Sequence, residues 1–370
     1  MLHKLLYMFK KIFLFSLGLA FLSSCETKFS VNGEYVETPI VHFLLDQGKE
    51  IQYLKLNRTF LKEGNANEFA KQPELSYFDN VDATVEEIKD GVTLRTWTLK
   101  DTVIKNKKEG AFYAPEQKLY FFRPDFVEIS GTDTTYLDED AFYRLKIDID
   151  NGNHMVNGQT NLVSGVNITY PKPQISFNFA ESDVSSNGYR STPISFSRSP
   201  EAGIFNLKIR FDYNEFIGSN YEKKSLLWPV GEITNSGTST SGATIFAEGE
   251  QFYKYLQNNI DENPAVTKRQ IEGIEIQLVG GSKDLYTYML TNEPSSSLAQ
   301  NKPTYSNVDG ALGIFSSRVT VTQYKDAFFG VNSRALNENS TKELCNGQFT
   351  APLKFCSHLA SDVNTNFSCN

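Results

Sequence analysis

Short alternations of apolar and polar residues run from Val31 to about Val166. Ile51-Tyr53-Leu54-Leu56, Val81-Ala83-Val85, Leu94-Thr96-Thr98, Leu119-Tyr120-Phe121 and Tyr143-Leu145-Ile147-Ile149 follow the two-residue period of a strand with one buried face. Asn32-Gly33, Asp90-Gly91, Asn151-Gly152 and Asn157-Gly158 are turn signals between these runs, and the last three stand at hairpin spacing. The pattern predicts a β-sandwich over residues 31–168.

Tyr170-Pro171-Lys172-Pro173 interrupts the alternation. Each proline fixes φ and lacks a backbone donor, so residues 169–174 are expected to be an extended connector at a domain boundary. Ile175-Phe177-Phe179, Phe205-Leu207-Ile209-Phe211 and Ile274-Ile276-Leu278 then resume the strand period, which predicts a second β-rich domain over 175–344. Two short helices are expected within it. Phe252, Tyr255, Leu256, Asn259 and Ile260 take helical spacing after Glu248 and Glu250, and Leu285, Tyr288 and Met289 do so after the candidate N-cap Ser282. Pro264 and Pro294 lie beyond their ends. Residues 293–306 read as a loop before the strand-like Ala311–Phe315 and Val319-Val321. The expected fold class is mainly β.

The first 24 residues follow a different rule. Lys4, Lys10 and Lys11 precede an apolar stretch, Ile12 to Leu22, that is shorter than the ~20 residues a bilayer requires. Leu22-Ser23-Ser24-Cys25 resembles a lipobox, so residues 1–24 are expected to be a lipoprotein signal peptide and Cys25 the lipidated residue, with 25–30 as a tether. Several acyl chains, palmitate among them, at about 0.8 kcal/mol per buried methylene make such an anchor effectively permanent. No later run reaches membrane-spanning length, so everything after Cys25 is expected on one side of the membrane, with the face left open.

Removing that segment from 370 residues leaves 346, enough for about two domains. It also removes three of the 36 basic residues, so 33 stand against 44 acidic ones and the net charge moves from −8 to −11. With no basic run longer than Lys105-Asn106-Lys107-Lys108, nucleic acid is not an expected partner. Cys345, Cys356 and Cys369 crowd into the last 26 residues. In an exported chain they predict one disulfide in a tail over 345–370 and one cysteine left over. All three pairings stay open; Cys345 with Cys356 closes the shorter loop. A zinc site is disfavoured, because CxxC is missing and His358 is the one nearby histidine.

Catalytic signals are sparse. His42 sits in the apolar run Ile40-Val41-His42-Phe43-Leu44 and reads as a packed strand residue, and His154 follows a turn and reads as solvated. GxSxG, HExxH, P-loop and dinucleotide glycine patterns are missing. Asp148-Ile149-Asp150-Asn151-Gly152 fails as a calcium loop on its fifth position and its missing distal glutamate. Asp138-Glu139-Asp140 reads as a solvated edge. Trp97 alternates with Thr96 and Thr98 as a core residue would. Trp228, ahead of the turn-rich 235–242, is the better candidate for an exposed contact. Thr102 in Asp101-Thr102-Val103 and Thr134 in Asp133-Thr134-Thr135 resemble the acidic-Thr sites that Bacteroidota O-glycosylate on exported proteins.

Further segments carry a family resemblance: Gln52–Phe60, Val81–Val85, Tyr143-Arg144-Leu145, Leu285-Tyr286-Thr287-Tyr288 and Tyr305–Phe315, together with Cys25. The chain resembles a family of uncharacterised Bacteroidota outer-membrane lipoproteins, a domain of unknown function. The resemblance implies an Ig-like N-terminal sandwich, a second β-rich domain, association with a TonB-dependent β-barrel transporter, and no catalytic residues or cofactor. Gly310 and Gly313 are expected to be structural. The cysteine-bearing, Asn-rich end departs from a tryptophan-terminated close. The leading expectation is a non-enzymatic binding or accessory subunit with a glycan or peptide ligand; its rivals are a glycan-active hydrolase with dispersed carboxylates and a surface adhesin.

Overall fold

The computed structural model describes residues 37–59, 65–110, 112–125, 128–130, 133–235, 241–293, 304–326 and 334–369. The signal segment, Cys25 and the tether at 25–30 lie outside the described residues.

Most alternating runs form strands. The first half of the chain contributes β1 (Pro39–Asp46), β2 (Gln52–Arg58), β3 (Val81–Lys89), β4 (Val92–Thr98), β5 (Lys100–Ile104), β6 (Gln117–Phe122), β7 (Glu128–Ser130), β8 (Asp133–Thr135), β9 (Phe142–Ile149), β10 (His154–Asn161) and β11 (Ile168–Tyr170). The second half adds β12 (Ser191–Phe196), β13 (Ala202–Ile217), β14 (Asn220–Thr234), β15 (Ala243–Glu248), helix α1 (Gly249–Asn259), β16 (Lys268–Ser282), helix α2 (Lys283–Asn292), β17 (Val308–Asp309), β18 (Leu312–Asp326) and helix α3 (Glu338–Asn346). Both expected helices form, and Ser282 caps α2 by accepting a hydrogen bond from Leu285 N at 3.0 Å.

Turn chemistry explains two hairpins. Asp90 and Gly91 both take positive φ, 53° and 77°, the mirror-image geometry that suits strand twist, and they join β3 to β4. Asp150, Asn151 and Gly152 do the same between β9 and β10. Asn157-Gly158 makes no turn. Both residues lie inside β10, where Gly158 supplies room: a Cβ there would meet Val308 Cγ1 at 3.0 Å and Phe315 Cβ at 3.2 Å. Ile175-Phe177-Phe179 makes no strand either. Phe177 and Phe179 are buried, but Phe177 makes only an isolated bridge to Leu336, its N–H donating to Ala335 O and its carbonyl accepting from Asn337 N, both at 2.9 Å, while the proline-bearing stretch before it hangs on β18. Gln323 Nε2 donates to Pro171 O at 2.6 Å, and Lys325 Nζ donates to Lys172 O at 2.6 Å and Ile175 O at 2.7 Å.

The fold is mainly β. Its largest sheet runs β14-β13-β16-β18-β1-β2-β6-β5, beside a five-stranded sheet β17-β10-β9-β3-β4 and a three-stranded sheet β11-β12-β15. Strand β18 joins the halves of the large sheet: Leu312–Arg318 pair in parallel with β1, and Arg318–Asp326 pair antiparallel with β16. One core lies between the β1 end of that sheet and the five-stranded sheet, with Phe43, Leu54, Phe122 and Phe315 facing Trp97, Tyr143, Leu145 and Val156. The other packs Leu207, Ile209, Ile276 and Leu278 against Phe196, Ile245, Phe252 and the C-terminal Leu344, Leu353 and Phe355.

The connector at 169–174 is therefore not a clean cut between successive bodies. Val308 and Phe315 return to complete the first core, and Thr38–Asn370 forms one compact unit. Residues 345–369 are folded rather than a tail, with Leu353, Phe355 and Phe367 buried. Cys356 bonds to Cys369, and Cys345 is a free, buried thiol. The shorter Cys345–Cys356 loop does not form because Cys345 faces the core from α3. The backbone brings the other two together instead: Ser357 N donates to Phe367 O and Cys369 N to Ser357 O, both at 2.8 Å.

Candidate functional site

A cleft of about 800 Å³ opens between residues 181–189 and α3. Its α3 wall follows from helical spacing. Asn339, Lys342, Glu343 and Asn346 recur at i, i+3, i+4 and i+7 and line the cleft, while Ser340, Thr341, Leu344 and Cys345 occupy the buried face. Asn337 caps the helix by accepting from Ser340 N at 2.9 Å. Ser340 ties the two walls at their base: its Oγ accepts from Phe179 N at 2.8 Å, and its carbonyl accepts from Tyr253 Oη at 2.9 Å. Across the cleft, Asp183 accepts from Ser185 N at 3.1 Å and Ser186 Oγ at 2.8 Å, and Glu181 pairs with Arg190 Nε at 2.5 Å.

Tyr189 Oη donates to Glu343 Oε1 at 2.9 Å, and Gln348 Nε2 donates to Tyr189 Oη at 3.4 Å. Gly347 leaves room for that carboxylate, since a Cβ at 347 would stand 2.1 Å from Glu343 Oε1. Burial raises the Glu343 carboxyl above the usual glutamate range, partly offset by the tyrosine bond. Burial also pushes the Tyr189 phenol up to about 12, so it stays a donor at neutral pH. Serine hydroxyls hold Asp183 below the usual carboxylate range. The arrangement supplies fixed hydrogen-bond donors and acceptors.

A smaller cleft of about 490 Å³ lies where the two cores meet, lined by Gln159, Asn161, Glu201, Ser282, Lys283 and Asp284 among others. One of its two acids is committed to structure: Asp284 accepts from Tyr305 Oη at 2.6 Å and Asn307 Nδ2 at 3.1 Å.

The residues singled out in the sequence fall elsewhere. Trp228 is 5 % exposed, with its ring 5.7 Å from Phe252 and 6.3 Å from Phe179, so it is a core residue and not an exposed contact. Its strand, β14, is an edge that exposes Leu227 while turning Trp228 inward across from Ile209. Trp97 is buried as expected, stacked on Phe122 at 4.9 Å, and donates to Asp125 at 2.9 Å. His42 lies on β1 with Nε2 2.9 Å from Tyr288 Oη, and burial lowers its pKa. His154 is half-buried against Phe78, not solvated, and His358 is half-buried in the C-terminal segment. Thr102 is half-exposed on β5; Thr134 lies on β8, and its side chain is outside the described residues. None of these lines the larger cleft. The α3 spacing and its Asn337 and Gly347 flanks were the available signal for that cleft. Among the described residues no cluster of three or more His, Cys, Asp or Glu could hold a metal ion, and no helix is long and apolar enough to cross a membrane.

The family described as "Domain of unknown function (DUF4249)" matches residues 37–324. No curated protein matches the chain. Among solved structures, the C-terminal globular domain of an oligosaccharyltransferase from Pyrococcus abyssi is similar at 12 % identity and a TM-score of 0.26 over 68 % of this chain, which spans 49 % of that one. A cytokine receptor complex is similar at 9 % identity and a TM-score of 0.18, over 81 % of this chain and 99 % of that one.

Proposed function

The chain belongs to the DUF4249 family, and we propose that it works as a lipid-anchored, non-enzymatic binding subunit of an outer-membrane complex. The lipobox-like Leu22–Cys25 supports the anchor, and the resemblance to Bacteroidota lipoproteins supports a TonB-dependent β-barrel as the partner. The observation that carries binding over chemistry is the condition of the cleft acids. Glu181, Asp183 and Glu343 are each held by a partner within the chain, which makes the cleft a pre-organised recognition surface.

Native membranes test the whole reading. The wild-type chain should be released only by detergent and co-purify with a large β-barrel protein, and Cys25→Ser should become soluble and lose that partner. A chain that never carries a barrel through purification would overturn the complex. The raised Glu343 carboxyl favours one rival, a glycan hydrolase using it as general acid. Sugar hydrolysis by the wild type that Glu343→Gln abolishes would establish that rival. O-glycosylation at Thr102 and Thr134 belongs to the same exported picture, and an intact mass equal to peptide plus lipid alone would remove it.

A further inference from the structure

We propose that the larger cleft takes a neutral, hydroxyl-rich ligand, an oligosaccharide, and that residues 338–348 set which one. This rests on reading the cleft as a binding site. Three features of the lining point to the ligand class. Glu181 and Asp183 stand on one wall and Glu343 on the other with Lys342 as the only cation of the lining and Arg190 paired to Glu181, so the lining carries an excess of acids and phosphates and uronates are disfavoured. Val184 is the only aliphatic side chain there, so the alternating pockets that hold a peptide's side chains are missing. Asn339, Asn346 and Gln348 each present a donor and an acceptor on one planar amide, which matches neighbouring sugar hydroxyls that both donate and accept.

The division of labour follows from where those amides sit. Residues 181–189 fall inside the family match, which ends at 324, whereas α3 and its C-cap lie beyond it. The helix is held in place by its opposite face, through Ser340, Thr341, Leu344 and Cys345. Asn346 and Gln348 make only long, exposed bonds, to Asn366 O at 3.5 Å and Tyr189 Oη at 3.4 Å, so with Asn339 they differ at little cost to the core, and the exposed face of α3 with its C-terminal flank tunes the ligand while the sandwiches stay constant.

The test uses the purified full-length mature chain in detergent. Calorimetric titration is run against hexasaccharides of glucose, mannose and galactose, with an oligouronate and an oligolysine as charged comparisons. At least one neutral hexasaccharide should bind and the oligouronate should not. Asn346→Ala and Gln348→Ala should each weaken that binding about two- to tenfold, the range for loss of one hydrogen bond, without shifting the melting temperature. Binding of the oligouronate or oligolysine in preference, binding of no neutral sugar, or affinity unchanged in both variants would overturn the proposal. The titration needs neither lipid nor barrel. A chain that binds sugar but carries no barrel sinks the membrane complex alone, and one that carries a barrel but binds no sugar sinks this inference alone.

Discussion

Replacing Gly313 with alanine should damage the junction between β1 and β18 far more than an ordinary glycine replacement would. Gly313 has φ of 108°, and a Cβ there would stand 1.9 Å from Val41 O and 2.9 Å from Val41 C, on the strand it pairs with in register. The backbone conformation alone costs a residue with a side chain about 1–2 kcal/mol. The clash adds more, because a carbonyl cannot swing aside as a side chain does, so the strands must part by about 1 Å. Neighbouring ladder bonds then stretch well beyond their usual length of about 2.9 Å. Losing two or three at about 1 kcal/mol each brings the total to about 3–5 kcal/mol, a large share of the 5–15 kcal/mol typical of a folded chain. Gly152→Ala is the matched control: φ is 92° and nothing lies within 4 Å, so only the conformational cost of about 1–2 kcal/mol applies. Urea unfolding followed by tryptophan fluorescence reads both losses. Equal losses would show that the close approach at Val41 contributes nothing.

Removing the Cys356–Cys369 bond, with Cys356→Ser and Cys369→Ser together, should lower stability by about 3 kcal/mol, the chain-entropy value for a loop of this size at a sequence separation of 13. In the intact protein Cys345 should resist iodoacetamide until unfolding, since burial pushes its thiol up to about 12; rapid labelling of the native chain would contradict this. Lys325 is 3 % exposed among backbone carbonyls, and burial lowers its ammonium to about 8. Between pH 8 and 10.5 the unfolded lysine holds a proton that the native one has lost, so this residue makes stability rise with pH across that window, by up to about 3 kcal/mol. Lys325→Met should remove that rise from a series of urea midpoints between pH 8 and 10, and an unchanged slope would refute the assignment.

Local pattern made the strands legible wherever one face is buried and the other wet. β3, β9, β13 and β16 alternate because each has a core on one side only. Asp90-Gly91 was readable because its positive φ angles demand those residue types. Pattern failed where long-range pairing decides. Asn157-Gly158 has the composition of a turn, yet Gly158 serves the space that Val308 and Phe315 need from the far end of the chain. Trp228 looked exposed beside turn-rich residues, but the side of β14 it occupies is fixed by pairing with β13. The role of β18 in both cores has no local signature, since Leu312–Arg318 reach the first core by parallel pairing with β1 across more than 250 residues. The cleft was half legible: α3 has its caps and its polar stripe in the sequence, while the opposing wall at 181–189 follows only from the chain's path.

Two of the segments that carry the family resemblance, 285–288 and 305–315, tie elements of the two cores together. Tyr305 and Asn307 both donate to Asp284 on α2, and Asn307 also clasps the backbone of Phe315 on β18, accepting from its N–H at 2.9 Å and donating to its carbonyl at 2.8 Å. Tyr288 of α2 meets His42 of β1, and Gly310 and Gly313 permit backbone contact with Met155 and Val41. Each of these residues serves the place where β18 passes from one sandwich to the other. A motif under that constraint reports the architecture and is silent about the ligand. The end of the chain, where this sequence departs from the expected pattern, builds one wall of the larger cleft, packs Leu353, Phe355 and Phe367 into the second core and is closed on itself by its own disulfide. Ligand information is therefore to be sought in residues 338–348, outside the shared motifs, because there the side chains facing the cleft are not the ones holding the fold.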